Sequence, residues 1–348
     1  MGSPTAEFFA ATGNPMGSRV VPTIAVKKQL NTMVIDARRA FLQVMEEGDV
    51  FVHPPKDWCL EADYRPGCIW KARTVWYGER GASQEWQEFF SEHLLAMGFV
   101  RGIRDPTKFV HFEHRLYLET HADDGHCAGD DKDLIWMYDG LVERGVKLKP
   151  RTIFHVGDQY RYLRRRYRRE PESMYFSPSR AYVDDTIADL GFDESTKSSP
   201  TPGTSKDLIR DGTGGDPVSL EEKQIYGTCV MRMLFASLDG RWEVAYVVKQ
   251  LSRHLSAPTK EHFARLKKLG RFLVGHRDVE VLIPVKGDMD TIYADTDTDW
   301  ASDPETRKST SCGLLGGRCS PRAVCPRSGH SCDLIGASGI PWSRLCCE

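Results

Sequence analysis

Apolar positions at 86, 89, 90 and 94 recur at helical spacing. Trp86, Phe89, Phe90 and Leu94 share one side and Gly98 supplies a stop, so an amphipathic helix packed on a sheet is expected. Upstream, residues 31–35 read as a short strand ending at Asp36. Residues 37–47 then read as a helix carrying Ala40, Phe41 and Val44 on one side. Downstream, residues 108–112 and 115–120 are β-prone and lead into His121-Ala122-Asp123-Asp124-Gly125, a tight-turn composition that puts two acids at a hairpin tip.

The second half has a different texture. Residues 161–169 hold six arginines and two tyrosines; their types alone fit either a nucleic-acid contact or a solvated charged face of a strand or helix. Val183, Ile187 and Leu190 repeat at i, i+4 and i+7, which predicts a helix with Asp184 and Asp185 toward solvent. Residues 198–205, Ser-Ser-Pro-Thr-Pro-Gly-Thr-Ser, read as a linker and place a boundary near residue 200. Helical patterns follow over 220–238, 242–255 and 259–274, then strand character over 279–285 and 291–294, with no internal repeat.

The chain has 348 residues, enough for about two or three domains. With 40% hydrophobic and 28% charged residues it is ordinary for a globular protein, which excludes wholesale disorder. Lys+Arg is 47 against Asp+Glu 49, so a nucleic acid would have to be held by local basic patches. There is no signal-peptide pattern and no uncharged apolar run of about 18 residues; the expectation is a soluble chain, cytoplasmic or nuclear, with no membrane partner. Cys312, Cys319, Cys325, Cys332, Cys346 and Cys347 crowd the C-terminal end without paired C-x-x-C spacing, which argues against zinc.

The candidate chemistry lies with Asp36 and the pair Asp123 and Asp124. A sheet can bring these strand ends side by side, and three clustered carboxylates repel unless cations neutralise them. Mg²⁺ takes oxygen ligands, commonly one or two carboxylates plus substrate phosphates. Two such ions can activate a 3′-hydroxyl and stabilise departing pyrophosphate. Spacing alone leaves open that the acids are solvated turn residues.

Several motifs stand in the order found in copia-type reverse transcriptases, over residues 31–315. Asp36-Ala37-Arg38-Arg39-Ala40-Phe41-Leu42 resembles the first palm motif, which implies a metal-binding acid at Asp36 and a steric gate against ribonucleotides at Phe41. Val50-Phe51-Val52-His53-Pro54-Pro55 and the stretch from Tyr77-Gly78 to Trp86 resemble the next two motifs, the latter implying nucleotide contacts at Arg80 and Gly81. His121-Ala122-Asp123-Asp124 with Gly129 resembles the catalytic hairpin "YVDD…G"; Tyr182-Val183-Asp184-Asp185 spells that motif but falls where the family has a helix. Asp297-Thr298-Asp299-Trp300-Ala301 and Arg307-Lys308-Ser309-Thr310 resemble the opening of an RNase H domain, with Asp297 as its first acid.

The resemblance implies an α+β fold: a reverse transcriptase palm with an antiparallel sheet and packed helices (31–197), a linker (198–218), a helical thumb or connection (219–278), and the start of an RNase H-like α/β unit (279–317). Residues 1–30 would be an N-terminal remnant with the fingers largely missing, and 318–348 an aberrant Cys-, Pro- and Arg-rich tail, expected to be disordered. Asp36, Asp123 and Asp124 would bind two Mg²⁺ (Mn²⁺ as substitute) and act on an RNA or DNA template-primer and dNTPs. Departures from the family are Gly81 in place of a nucleotide-contacting glutamine, His121-Ala122 in place of Tyr-Val, and no matching second RNase H acid after Gly317. The expectation is thus an impaired RNA-directed DNA polymerase without RNase H activity; the alternative is a catalytically inactive retroelement fragment that at most binds nucleic acid.

Overall fold

A computed structural model describes residues 10–13, 17–55, 67–203, 215–284, 292–298, 311–317, 322–324 and 331–332. The protein combines helices with antiparallel sheets, in keeping with the α+β expectation, and seven α-helices occur among the described residues. Packing divides the chain into two compact units, Met1–Ala25 with Gln29–Phe154, and Val26–Lys28 with His155–Glu348.

After α1 (Val20–Lys27), the first unit contains β1 (Asn31–Asp36), the short pair β2 (Phe51–Val52) and β3 (Trp70–Lys71), α2 (Ala82–Ala96), β4 (Val100–Arg101), β5 (Lys108–His111), β6 (Leu116–His121), β7 (Asp124–Gly129), α3 (Asp131–Glu143) and β8 (Ile153–Phe154). Its main sheet runs β4-β5-β6-β7-β1-β8, so the earliest strand is inserted between two later ones. Alternation in the strands turns Met33, Ile35, Leu116, Leu118 and Cys127 to one face, where Trp86, Phe90 and Leu94 of α2 and Leu134, Met137 and Leu141 of α3 cover them. Gly129 permits this approach, because a Cβ there would lie 2.4 Å from Leu116 Cδ2 and 3.4 Å from Leu134.

The expected strands and the helix over residues 86–94 are present, but the helix over 37–47 is not. Ala37 and Arg38 continue sheet-like pairing instead, donating their N–H groups to the carbonyls of Asp123 and Lys147 at 2.9 Å each. Arg39 then turns left-handed (φ 53), and only a 3₁₀ turn, Ala40–Gln43, follows. Ala40, Phe41 and Val44 still meet the core, so the apolar spacing was genuine while a single turn sufficed to satisfy it.

The second unit contains β9 (Gln159–Tyr162), β10 (Arg165–Glu170), β11 (Ser173–Ser177), α4 (Ala181–Asp189), α5 (Leu220–Asp239), α6 (Ala245–Ser252), α7 (Lys260–Gly275), β12 (Glu280–Pro284), β13 (Ile292–Thr298), β14 (Ser311–Gly317), β15 (Arg322–Val324) and β16 (Ser331–Cys332). The helix expected around 182–190 is α4, with Val183 and Ile187 in the core. The single helix expected over 242–255 is divided into a 3₁₀ turn, Trp242–Val244, and α6. Both α5 and α7 open on capping boxes: Ser219 with Glu222 and Thr259 with His262 exchange side-chain and backbone hydrogen bonds, which fixes where each helix begins. Val230, Met233, Val248, Leu266 and Leu269 fill the space between these helices. Of the expected linker, Ser199 donates its N–H to the Arg271 carbonyl at 3.2 Å, and residues 204–205 lie outside the described residues. Within 318–348, read from sequence as disordered, β15 and β16 are described as strands in the sheet β16-β15-β12-β11-β10-β9; the remainder lies outside the described residues.

Candidate active site

Asp36 is the last residue of β1 and its register partner across the ladder is Asp124, the first residue of β7. Because β6 and β7 pair through His121 and Asp124, the intervening Ala122 and Asp123 form the tip of the hairpin. Asp36 therefore adjoins the sequence-distant pair Asp123 and Asp124 at the same end of neighbouring strands. Ala122 adopts φ 51, a left-handed conformation that disfavours a residue with a Cβ. Two hydrogen bonds hold this tip: the Asp123 carbonyl accepts from Ala37 N–H, and the Ala122 carbonyl accepts from the Trp86 indole N–H at 2.8 Å.

The acids are not equivalent. Asp123 is exposed, whereas Asp124 is partly buried. Burial, followed by repulsion from Asp123 and Asp36, pushes the Asp124 carboxyl up to about 6 from an ordinary value of 3.8, with Lys149 opposing the rise. The Lys149 ammonium lies 2.6 Å from Asp36 Oδ2, and its own N–H donates to the Asp36 carbonyl at 2.9 Å. Its hydrogen bond and attraction to Asp36 hold the ammonium above its usual range. Sequence reading missed this lysine, although the alternation of buried Val146 and Leu148 with exposed Lys147 and Lys149 is a strand-like signal.

Hard carboxylate oxygens in a site of concentrated negative charge fit Mg²⁺ in kind. Asp36 directs one oxygen to Lys149, however, and among the described residues no group of three His, Cys, Asp or Glu side chains is disposed to hold a metal ion. The adjoining acids are thus candidate ligands that would need substrate oxygens or water to complete a coordination shell.

The remaining sequence candidates are distributed as follows. Phe41 packs against Tyr77 with ring centroids 4.7 Å apart. Arg80 is exposed, and Gly81 is the buried N-cap of α2 with no side chain to offer. Around that helix start stand Glu46, Glu79 and Glu85; burial raises the carboxyls of Glu79 and Glu85, and Glu46 raises both further, while the Trp76 N–H opposes the rise at Glu79. This acidic surround was not foreseen from sequence. Asp297 pairs with Cys312 in the ladder of β13 with β14 and belongs to the second unit; Asp299 lies outside the described residues. Asp184, on α4, forms ion pairs with Arg180 at 3.0 Å and Arg277 at 3.5 Å.

No protein-family model matches the chain. It is 27% identical over 312 residues to the retrovirus-related Pol polyprotein from transposon RE1 of Arabidopsis thaliana, a match covering 88% of this chain and 20% of that protein. The corresponding polyprotein from transposon RE2 of the same plant is 27% identical over 308 residues, with 88% and 20% covered. That from transposon TNT 1-94 of Nicotiana tabacum is 23% identical over 318 residues, with 87% and 23% covered. The chain thus spans about a fifth of the length of these curated relatives. Nearly nine-tenths of the chain takes part in each match, so over most of its length the chain is similar to the retrovirus-related Pol polyproteins of copia-like transposons.

Proposed function

We propose that the chain is the reverse transcriptase region of such a polyprotein, an RNA-directed DNA polymerase acting on an RNA or DNA template-primer and dNTPs. The observation that carries this reading is the register of β1 on β7, which makes Asp36 and Asp124 direct partners and sets Asp123 beside them at a hairpin tip. The first unit would be the core of the palm and the α5–α7 bundle the thumb or connection, with Asp297 on β13 as the first acid of an RNase H-like unit. Bound Mg²⁺, or Mn²⁺ in its place, would supply charge neutralisation at the attacking and leaving oxygens. The chain's own part is to hold together, through the Ala37 and Trp86 hydrogen bonds, the strand end and hairpin tip that carry the three acids, and to wall the nucleotide sugar with Phe41 backed by Tyr77. Lys149 orients the Asp36 carboxylate through their ion pair until substrate arrives. Arg80 would meet the triphosphate. Mg²⁺-dependent primer extension by the chain, abolished in Asp123→Asn, is expected; equal extension by wild type and variant would refute the assignment.

A second reading is favoured by Glu46, Glu79 and Glu85 around the start of α2, where a triphosphate would meet negative charge, and by Gly81, which offers no side chain. In that reading the chain binds nucleic acid without polymerising. Salt-sensitive binding of template-primer with no extension under Mg²⁺ or Mn²⁺ would select it.

A further inference from the structure

The arginine-rich run folds into two populations with different tasks. β9 and β10 are antiparallel and joined by a two-residue turn, Leu163 and Arg164, both at positive φ (48 and 64). Strand alternation sends Arg165 and Arg169 inward with Tyr160, Tyr162 and Tyr167, and Arg165 is ion-paired to Asp239 in the interior. The outward positions carry Arg161, Arg166 and Arg168. Arg168 is already satisfied: it pairs with Glu170, lies 3.0 Å from Glu280, and rests over the Tyr175 ring at 4.2 Å. Arg161, Arg164 and Arg166 are exposed and have no acidic partner among the described residues. Arg161 stands directly opposite Arg166 in the ladder. Like charges in that relation oppose pairing, so the hairpin tip carries a repulsion that a bridging anion would relieve.

We propose that Arg161, Arg164 and Arg166 form a contact surface for the phosphate backbone of a nucleic acid. Guanidinium groups match phosphate geometry, and three of them spread over a turn and two strands about 4.8 Å apart suit a chain of phosphates better than one small anion. Among the described residues the one aromatic on this face beside them, Tyr175, is covered by Arg168, so the surface holds backbone and reads no base. This deepens the polymerase reading by naming where template-primer is gripped, and it needs no catalysis.

The test is fluorescence anisotropy of a labelled RNA–DNA hybrid with the full chain across a salt series. Each phosphate contact contributes about 0.9 to the slope of log affinity against log salt, so R161S/R164S/R166S should have a slope shallower by about 2–3. The variant R104S/K132S/R271S removes the same net charge from exposed positions on other elements and should keep the wild-type slope. Equal slopes in all three proteins, equal losses in the two variants, or no wild-type binding at low salt would overturn the proposal. So would a triple variant that binds the hybrid normally yet loses binding to phosphatidylserine vesicles. Circular dichroism checks that each variant folds; should the triple variant misfold, R161Q/R166Q tests the facing pair alone, with a slope shallower by about 2 expected. D123N separates the two readings: loss of extension with an unchanged slope leaves this surface intact while assigning the chemistry elsewhere.

Discussion

The indole N–H of Trp86, in the second turn of α2, is bonded to the carbonyl of Ala122 at the tip of the acidic hairpin, 2.8 Å away. This ties a helix in the core to the loop that carries Asp123. Trp86→Phe keeps most of the apolar volume but removes the donor, and should destabilise the first unit by about 1–3 kcal/mol, combining a lost hydrogen bond with a small cavity. Thermal melting measures that cost. If the bond positions the acids, primer extension should fall more than stability explains, while extension in proportion to folded protein would limit Trp86 to packing.

Asp124 gives a pH dependence whose sign follows from its raised carboxyl. The folded protein holds that proton up to about pH 6, whereas the unfolded chain releases it near 3.8. The folded state therefore binds more protons in this window, and stability falls as pH rises through it. Asp124→Asn removes the penalty, so the melting temperature of the variant relative to wild type should climb between about pH 4 and pH 7 and then level off. A constant difference across this range would mean that Asp124 is not perturbed. Mg²⁺ at neutral pH should raise the melting temperature of wild type and leave that of Asp124→Asn nearly unmoved.

The buried pair Arg165 and Asp239 makes an opposite kind of prediction. Arg165→Met leaves the Asp239 carboxylate in the interior without its guanidinium and should cost about 3–5 kcal/mol, while R165M/D239L should recover most of the loss. Urea denaturation of the single and double variants reads the coupling directly, and additive losses would show that the two side chains act independently.

Two left-handed residues offer a stabilising test. Ala122→Gly and Leu163→Asn place residues tolerant of positive φ at turn positions and should each stabilise by about 0.5–1 kcal/mol. A lower melting temperature in Leu163→Asn would indicate that the half-buried leucine packs more than its turn costs.

The parts of this architecture that depend on neighbours in sequence were legible in it. The α2 face, the β5–β6–β7 hairpins and the extent of α5 follow from spacing and turn composition, both local signals, while the capping box at Ser219 that fixes the start of α5 was equally local and went unread. The acids of the candidate site were nominated by their strand-end and turn positions, and motif order supplied their expected role. Lys149 was missed because its partner Asp36 lies 113 positions away. The region after Asp36 misled because a 3₁₀ turn pinned by the Asp123 and Lys147 carbonyls serves the same apolar positions as a helix. Arg165 and Arg169 ran against expectation more deeply, since polarity argues outward while strand alternation and Asp239 draw Arg165 inward.

The order β7-β1-β8 in the first sheet has a consequence for how the chain emerges during synthesis. β4 to β7 can close as successive hairpins, but β1 has both of its partners downstream, at residues 124–129 and 153–154. With about 5–20 residues added per second, a strand bearing Met33, Val34 and Ile35 stays without either neighbour for several seconds. That interval exposes unpaired strand edges on a nascent polypeptide, the circumstance in which holdase chaperones act and in which aggregation competes with folding.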